Sequence, residues 1–408
     1  MDGSKDIIYA DNNATTRVAP EVVAAMTPFF FDYYFNPSSM YDAARSASDA
    51  IAQSRRTIAT TLGAAEENEI LFTSCASESN NHAIFGSLKA LAASDPQRRE
   101  IISTTVEHPA VLEVCNQLER DGYTIHRIGV DGDGNLDIRA FVRALHVGRT
   151  AMVSIMHANN ETGVLFPIEH LASLTKETDP SILFHTDATQ SIGKQPIDLS
   201  GNFAQVDLLS MSGHKIHAPK GIGLLYVRRG TPIRPFLIGG HQESGRRGGT
   251  ENVPYIVGLA KAMELLTATL EEDESRVRGL RNRFEDGLRR RIPAIQINGD
   301  GAQRLPGTTN VSCWSIEGES ILMLLSLERI CASSGSACTS GSLEPSHVLR
   351  AMRVPTGAIG GSIRFSFSRY TTVAEVDRIL TVFPDVVASL REKSPFWDRV
   401  TQTPTGLD

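Results

Sequence analysis

The sequence predicts an α/β protein with two domains, a large one built on a mostly parallel sheet and a smaller C-terminal one. Between about residues 60 and 230, short apolar runs alternate with longer helical patterns, which is how strands joined by crossover helices read. Five of six candidate strands are followed at once by polar residues with chemical potential, and ligands in such folds bind beyond the carboxyl ends of the strands. A chain of 408 residues is also too long for one small core.

The strands are expected at 70–73, 101–104, 151–156, 182–185, 206–211 and 222–227. A long helical pattern over 253–291 leads out of the large domain. Beyond it the sequence reads as a strand at 309–314, a helix at 318–327, strands at 330–333 and 362–368, and a helix at 373–391, with the opening segment 8–16 packing beside them. The large domain is therefore placed at 17–262 and the small domain at 1–16 with 263–408.

The net charge of −7 argues against a nucleic-acid binder, and the basic clusters Arg246-Arg247 and Arg289-Arg290-Arg291 are short. No apolar run is long enough to predict a membrane span. The opening MDGSKDIIYADNN has no basic stretch followed by an apolar core, so no signal peptide is expected. The five cysteines are odd in number and show no C-x-x-C spacing, so neither a disulfide framework nor a zinc knuckle is predicted and a cytoplasmic location is expected.

The residues following the strands have distinct chemistry. In VDLLSMSGHKIHAPKGIGLLYV an apolar run ends at Ser212-Gly213-His214-Lys215. A lysine held at the mouth of a sheet among apolar neighbours loses solvation and becomes a nucleophile toward carbonyls, as a Schiff base with pyridoxal phosphate requires; a solvated loop lysine is the alternative. Ala76 and Ser77 open a helix whose N–H groups suit a phosphate, or form a simple N-cap. Asp187 follows an aliphatic strand and suits a protonated ring nitrogen, or caps the next helix. His108 suits ring stacking and proton movement, or a core or capping role. Asn160 and Gln190 suit hydrogen bonds to a ring oxygen, or turns.

Two further segments stand out. Cys338 lies in Ser333-Ser334-Gly335-Ser336-Ala337-Cys338-Thr339-Ser340-Gly341-Ser342, small residues that suit a nucleophile able to swing toward a site and away. Cys75, Cys115, Cys313 and Cys331 read instead as structural cysteines among aliphatics. Arg364, in Ile363-Arg364-Phe365-Ser366, offers a bidentate fork to a carboxylate, either a substrate's or one within the protein.

These motifs, with NNATT, FTSCASES, TVEHPAV, NNETG, HTDATQSIGK, RRGGTEN and SSGSACTSGSLEPSHVLRAM, resemble the pyridoxal-phosphate-dependent cysteine desulfurases of aminotransferase class V over nearly the whole chain. The details look most like the nitrogen-fixation type, and next the housekeeping iron–sulfur type. The resemblance implies fold type I, with a seven-stranded, mostly parallel sheet in the large domain and the active-cysteine loop at about 333–345. It implies that Lys215 forms the Schiff base, that His108 stacks on the ring and assists proton transfer, and that Asp187 pairs with the ring nitrogen. Gln190 and Asn160 would contact the ring oxygen and orient substrate. Ala76, Ser77, Ser212 and His214 would hold the phosphate, joined by Thr250 of a neighbouring copy in an obligate homodimer. Asn36, Asn160 and Arg364 would hold substrate.

Cys338 would take sulfur from L-cysteine as a persulfide, release L-alanine, and pass the sulfur to a scaffold for iron–sulfur cluster assembly. Nitrogenase maturation is one such destination; tRNA or DNA thiolation are others. No resident metal is implied, although Cys338 would ligate a transferred cluster, and no direct contact with nucleic acid or membrane is implied. A class V aminotransferase of a small amino acid, or a catalytically silent carrier, are the alternatives. Two positions depart from the family pattern: Ser77 stands where Thr is more usual, and Gly360 stands where a histidine is expected.

Overall fold

The computed structural model describes residues 7–334 and 345–405. Seven strands form the large sheet: β1 (Ile70–Thr73), β2 (Glu100–Thr104), β3 (Thr124–Ile128), β4 (Thr150–Ser154), β5 (Leu183–Asp187), β6 (Leu208–Ser212) and β7 (Gly223–Val227). Their order is β1-β7-β6-β5-β4-β2-β3. Strands β2 to β6 pair in parallel, while β7 runs antiparallel to both β6 and β1. The sheet is therefore mostly parallel and seven-stranded, as expected.

Every residue of β4, β5, β6 and β7 is buried, as befits strands covered on both faces. One apolar cluster, including Phe184, Leu209 and Tyr226, packs on one side; a second, including Leu71, Met152 and Leu225, packs on the other. Burying each such side chain contributes about 1.5–3 kcal/mol. The strand absent from the sequence reading is β3, an edge strand that starts exposed and is mostly half-buried. With one flank open to solvent it needs no continuous apolar run, and TIHRI carries none.

The long helical pattern is two helices, Val253–Ala268 and Leu270–Arg291, bent by 75° at Thr269. The first packs into the large core and the second into the small one. The small sheet consists of β8 (Ile295–Ile297), β9 (Thr308–Cys313), β10 (Ser333–Ser334) and β11 (Ser362–Ser366), in order β10-β11-β9-β8. Helices Gly318–Leu327 and Val373–Arg391 have the expected bounds. Between them, Val348, Leu349, Met352 and Ile359 pack into the large core rather than the small one, so the two units interlock near the site. No single described helix is long and apolar enough to cross a membrane.

Candidate active site

A cleft of about 850 Å³ opens beyond the carboxyl ends of the large-sheet strands, where α/β folds place ligands. Ala76, Ser77, His108, Asn160, Asp187, Gln190, Ser212, His214, Lys215 and Arg364 all line it. The sequence assigned these residues from six separate stretches, and the fold brings them to one wall system.

Each side chain has a local reason for its place. Helix Ala76–Asn81 starts directly after β1, and Cys75 at its N-cap makes no side-chain cap bond, so the first N–H groups there remain available to an anion. Gly223 permits this approach: a Cβ there would sit 2.6 Å from the Met211 carbonyl oxygen and 2.9 Å from Cys75 Cα. Lys215 ends a short turn, Gly213–Lys215, that leaves β6. Gly213 is needed because a Cβ would meet Ile222 Cγ2 at 2.8 Å. Lys215 Nζ donates to the carbonyl oxygens of Asn13 and Ala14, at 2.7 Å each.

His108 both caps a helix and lines the cleft. Its Nδ1 accepts from Ala110 N at 3.1 Å, with Pro109 in the first turn of helix Pro109–Arg120. In the neutral ring this assigns the proton to Nε2. Burial pushes its pKa below the ordinary histidine value, against the pull of Asp187. Burial, with Lys215 and Lys220 nearby, lowers His214 to about 4, so His214 is neutral at physiological pH.

Asp187 ends β5, with Oδ1 accepting from Thr189 N at 2.9 Å and Oδ2 from Asn80 Nδ2 at 2.7 Å. Asp187 caps no helix, because a turn rather than a helix follows β5, and its carboxylate bonds that turn while lining the cleft. Gln190 Nε2 donates to Asn13 O at 3.0 Å, while Lys194 Nζ donates to Gln190 Oε1 at 3.1 Å.

Arg364 lies on β11 and reaches across from the small sheet, only 2% exposed. Nη2 pairs with Asp11 at 2.7 Å and Nη1 donates to the Asn160 carbonyl at 2.9 Å. The protein thus already supplies one carboxylate to this fork. Nε, however, is buried without a hydrogen-bond partner among the described residues, an orphan donor that a substrate carboxylate would satisfy.

The chain belongs to the class V aminotransferase family. Its family model matches residues 8–379. A cysteine desulfurase of Trichormus azollae is 54% identical over 390 residues, covering 96% of this chain and 95% of that protein. The cysteine desulfurase NifS of Azotobacter vinelandii is 50% identical over 390 residues, covering 96% and 95%. A solved structure described as a NifS-like protein superposes with a TM-score of 0.86 at 37% identity, covering 94% of this chain and all of that one.

As a class V aminotransferase closely related to these desulfurases, the chain uses pyridoxal 5′-phosphate. The donor set fits that group. Lys215 is at hand for its aldehyde carbon, Asp187 for its ring nitrogen, the His108 ring for stacking, and the helix start at Ala76–Ser77 with Ser212 and His214 for its phosphate.

Three expected site residues stand apart. Asn36 is exposed and holds Ser38 N at 2.9 Å, and Thr250 is exposed just before helix Val253–Ala268; neither lines the cleft. Cys338 lies outside the described residues. Cys75 is a correction to the structural reading, because it is half-buried and forms part of the cleft wall. Cys331 is likewise half-buried rather than a core residue, because it sits on a two-residue strand beside Tyr9. Cys115 and Cys313 are buried, and burial raises them to about 11 and about 12.

The sequence reading missed Asn13 and Asn80 as site residues. Asn80 lies four and three residues after Ala76 and Ser77, the spacing that shares a helix face. Asn13 bonds Lys215 and Gln190 through its carbonyl and Thr308 through its side chain, so the opening segment joins both sheets rather than packing with the small one alone. At Gly360, a Cβ would meet nothing closer than Glu317 Oε2 at 3.4 Å, so a side chain is sterically admissible there.

Proposed function

We propose that this protein is a cysteine desulfurase in which Lys215, Asp187, His108 and Arg364 prepare L-cysteine and Cys338 removes its sulfur. The observation that carries the assignment of roles is the convergence of these four described side chains on one cleft, in a chain 54% identical to a cysteine desulfurase.

When bound, pyridoxal phosphate supplies the electron sink for carbanion chemistry at the substrate α-carbon. Lys215 would hold its aldehyde carbon, and the Lys215 amine would move a proton at the substrate Cα. Asp187 would keep a positive charge on the ring nitrogen, and Asn80 holds that carboxylate in place. The orphan Arg364 Nε, with the backbone-held guanidinium behind it, receives the substrate carboxylate. His108, protonated on Nε2 and shifted toward neutrality by burial, is the candidate to exchange a proton with the Cys338 thiol.

The sulfur step belongs to Cys338. Its thiolate attacks the substrate Sγ, the Cβ–Sγ bond breaks with its electron pair passing to the carbon skeleton, and the sulfur remains on Cys338 as a persulfide while the skeleton takes up a proton at Cβ and leaves as L-alanine. The persulfide sulfur then passes to an acceptor for iron–sulfur cluster assembly, with nitrogenase maturation as one destination.

A second copy of the chain completes the site by supplying Thr250 to the phosphate. In support, Thr250 is exposed and outside its own cleft, and Phe31, Tyr34, Met40, Tyr41 and Ile238 are large apolar side chains left exposed on the single chain.

Trapping tests the reading. After exposure to L-cysteine, alkylation and mass spectrometry of the Cys338 peptide should show one added sulfur. Transfer of the amino group to an added keto acid, with no sulfur on Cys338, would favour the aminotransferase reading instead.

A further inference from the structure

At the opposite end of the large sheet from the cleft, Glu100, His126 and His146 bring three metal-ligating atoms within 4.8 Å of one another. His126 Nε2 lies 3.0 Å and His146 Nδ1 2.5 Å from the same carboxylate oxygen, Glu100 Oε2. Two imidazoles and one carboxylate are the donor set of zinc and related first-row divalent ions, with bonds of about 2.0–2.2 Å. Two donors at such bond lengths stand roughly 3 Å or a little more apart, so a modest opening of the cluster admits an ion. Among the described residues this is the one group of three such side chains.

The frame holding these donors is built rather than accidental. Glu100 opens β2 and pairs with Thr124 of β3 and Thr150 of β4. Ile102 is the register partner of His126, so His126 sits diagonally from Glu100 on the same face. His146 is in the turn before β4, where its N–H bonds Thr150 Oγ1 at 2.9 Å and its carbonyl accepts from Arg149 N and Thr150 N at 3.1 and 2.9 Å. Glu100 N in turn bonds the Arg149 carbonyl at 3.1 Å. Arg149 Nε holds the other carboxylate oxygen at 3.2 Å, which leaves Oε2 for the histidines, as an outer partner of a metal ligand does. Glu100, His126 and His146 side chains are 14%, 27% and 33% exposed, sheltered but reachable by an ion.

We propose that Glu100, His126 and His146 form a binding site for one zinc-class divalent ion per chain, distinct from the cleft and stapling edge strand β3 to β2 and to the turn before β4. The cysteine spacing argued only against a zinc knuckle and the resemblance implied no resident metal; His126 and His146 are 20 residues apart in no recognisable ligand spacing and meet only in the folded chain.

The test uses the pyridoxal-phosphate-loaded enzyme in a Cys338→Ser background, which removes the proposed nucleophilic thiol as a competing ligand. Zinc is added, the protein is dialysed, and bound metal is counted per chain alongside thermal unfolding. His126→Gln and His146→Gln retain a hydrogen-bond donor to Glu100 but remove the imidazole ligand. One zinc per chain is expected, with zinc raising the unfolding temperature, and each Gln variant should bind at least about tenfold more weakly and lose the zinc-dependent rise. No tight zinc in the parent protein, or equal zinc in parent and Gln variants, would overturn the proposal and leave a hydrogen-bonded cluster.

Discussion

Asn80 Nδ2 donates to Asp187 Oδ2 at 2.7 Å, and both residues are buried at the floor of the cleft. The bond joins the helix after β1 to the end of β5, so one strand–helix unit orients the charged group of another. Asn80→Ala should lower kcat about 10- to 100-fold, the value of a lost hydrogen bond to a charged group, while Asp187→Asn should lower it further. Steady-state alanine formation checks this. Equal rates in wild type and Asn80→Ala would show that Asp187 needs no such support.

Glu107 gives a pH dependence with a definite sign. It is completely buried, accepts from Thr104 Oγ1 at 2.8 Å and from Met156 N at 3.1 Å, and burial raises its pKa from 4.5 to about 8. Between those values the folded chain holds a proton that the unfolded chain has lost, so this carboxyl makes stability fall as pH rises from about 4.5 to about 8. Glu107→Gln keeps the acceptor and removes the titration. The variant should match wild type near the low end of that window and become progressively more stable than wild type toward its upper end, as denaturant unfolding at several pH values would show. A constant difference across the window would contradict this account of Glu107.

Glu285 and Arg304 are paired at 2.8 and 3.0 Å with each side chain 4% exposed. Beside them, the Gly163 carbonyl accepts from Leu305 N at 2.8 Å and Leu165 N donates to Gln303 O at 2.8 Å, so the pair stiffens the join between the small unit and the 159–163 loop that lines the cleft. Glu285→Ala leaves the buried Arg304 guanidinium with only the longer contact to Asp300 Oδ1 at 3.3 Å and should destabilise the protein by about 3 kcal/mol, the lower end for breaking a buried pair, measured by reversible denaturant unfolding.

Thr250 offers a test by complementation. Lys215→Ala and Thr250→Ala chains are each expected to be inactive or impaired alone. If Thr250 serves the neighbouring copy, a mixed dimer has one doubly damaged site and one intact site. Unfolding and refolding an equal mixture should recover about a quarter of wild-type activity. No recovery above the sum of the parents would place Thr250 in its own chain's site or outside any site.

The fold was legible wherever burial on both faces made strands continuous apolar runs, as in Leu208–Ser212 and Gly223–Val227. It was not legible at Thr124–Ile128, where an edge strand carries partly exposed charged residues, nor at Thr269, where one helical pattern hides a 75° bend. The cleft was legible because most of its residues follow strand ends, which is local information; Arg364, inside β11, was legible as a lone arginine in an alternating strand. Asn13 was missed as a hub because its partners, Lys215 and Thr308 among them, lie hundreds of residues away in sequence. The Glu100, His126 and His146 cluster was missed although its members are closer in sequence, because strand register and not spacing brings them together.

The most direct measurement is the release of sulfide and alanine from L-cysteine with a thiol reductant, in wild type, Cys338→Ala and Lys215→Ala. The account predicts equimolar sulfide and alanine from wild type and neither from the two variants, with Cys338→Ala still binding pyridoxal phosphate. Alanine and sulfide produced by Cys338→Ala at the wild-type rate would contradict it.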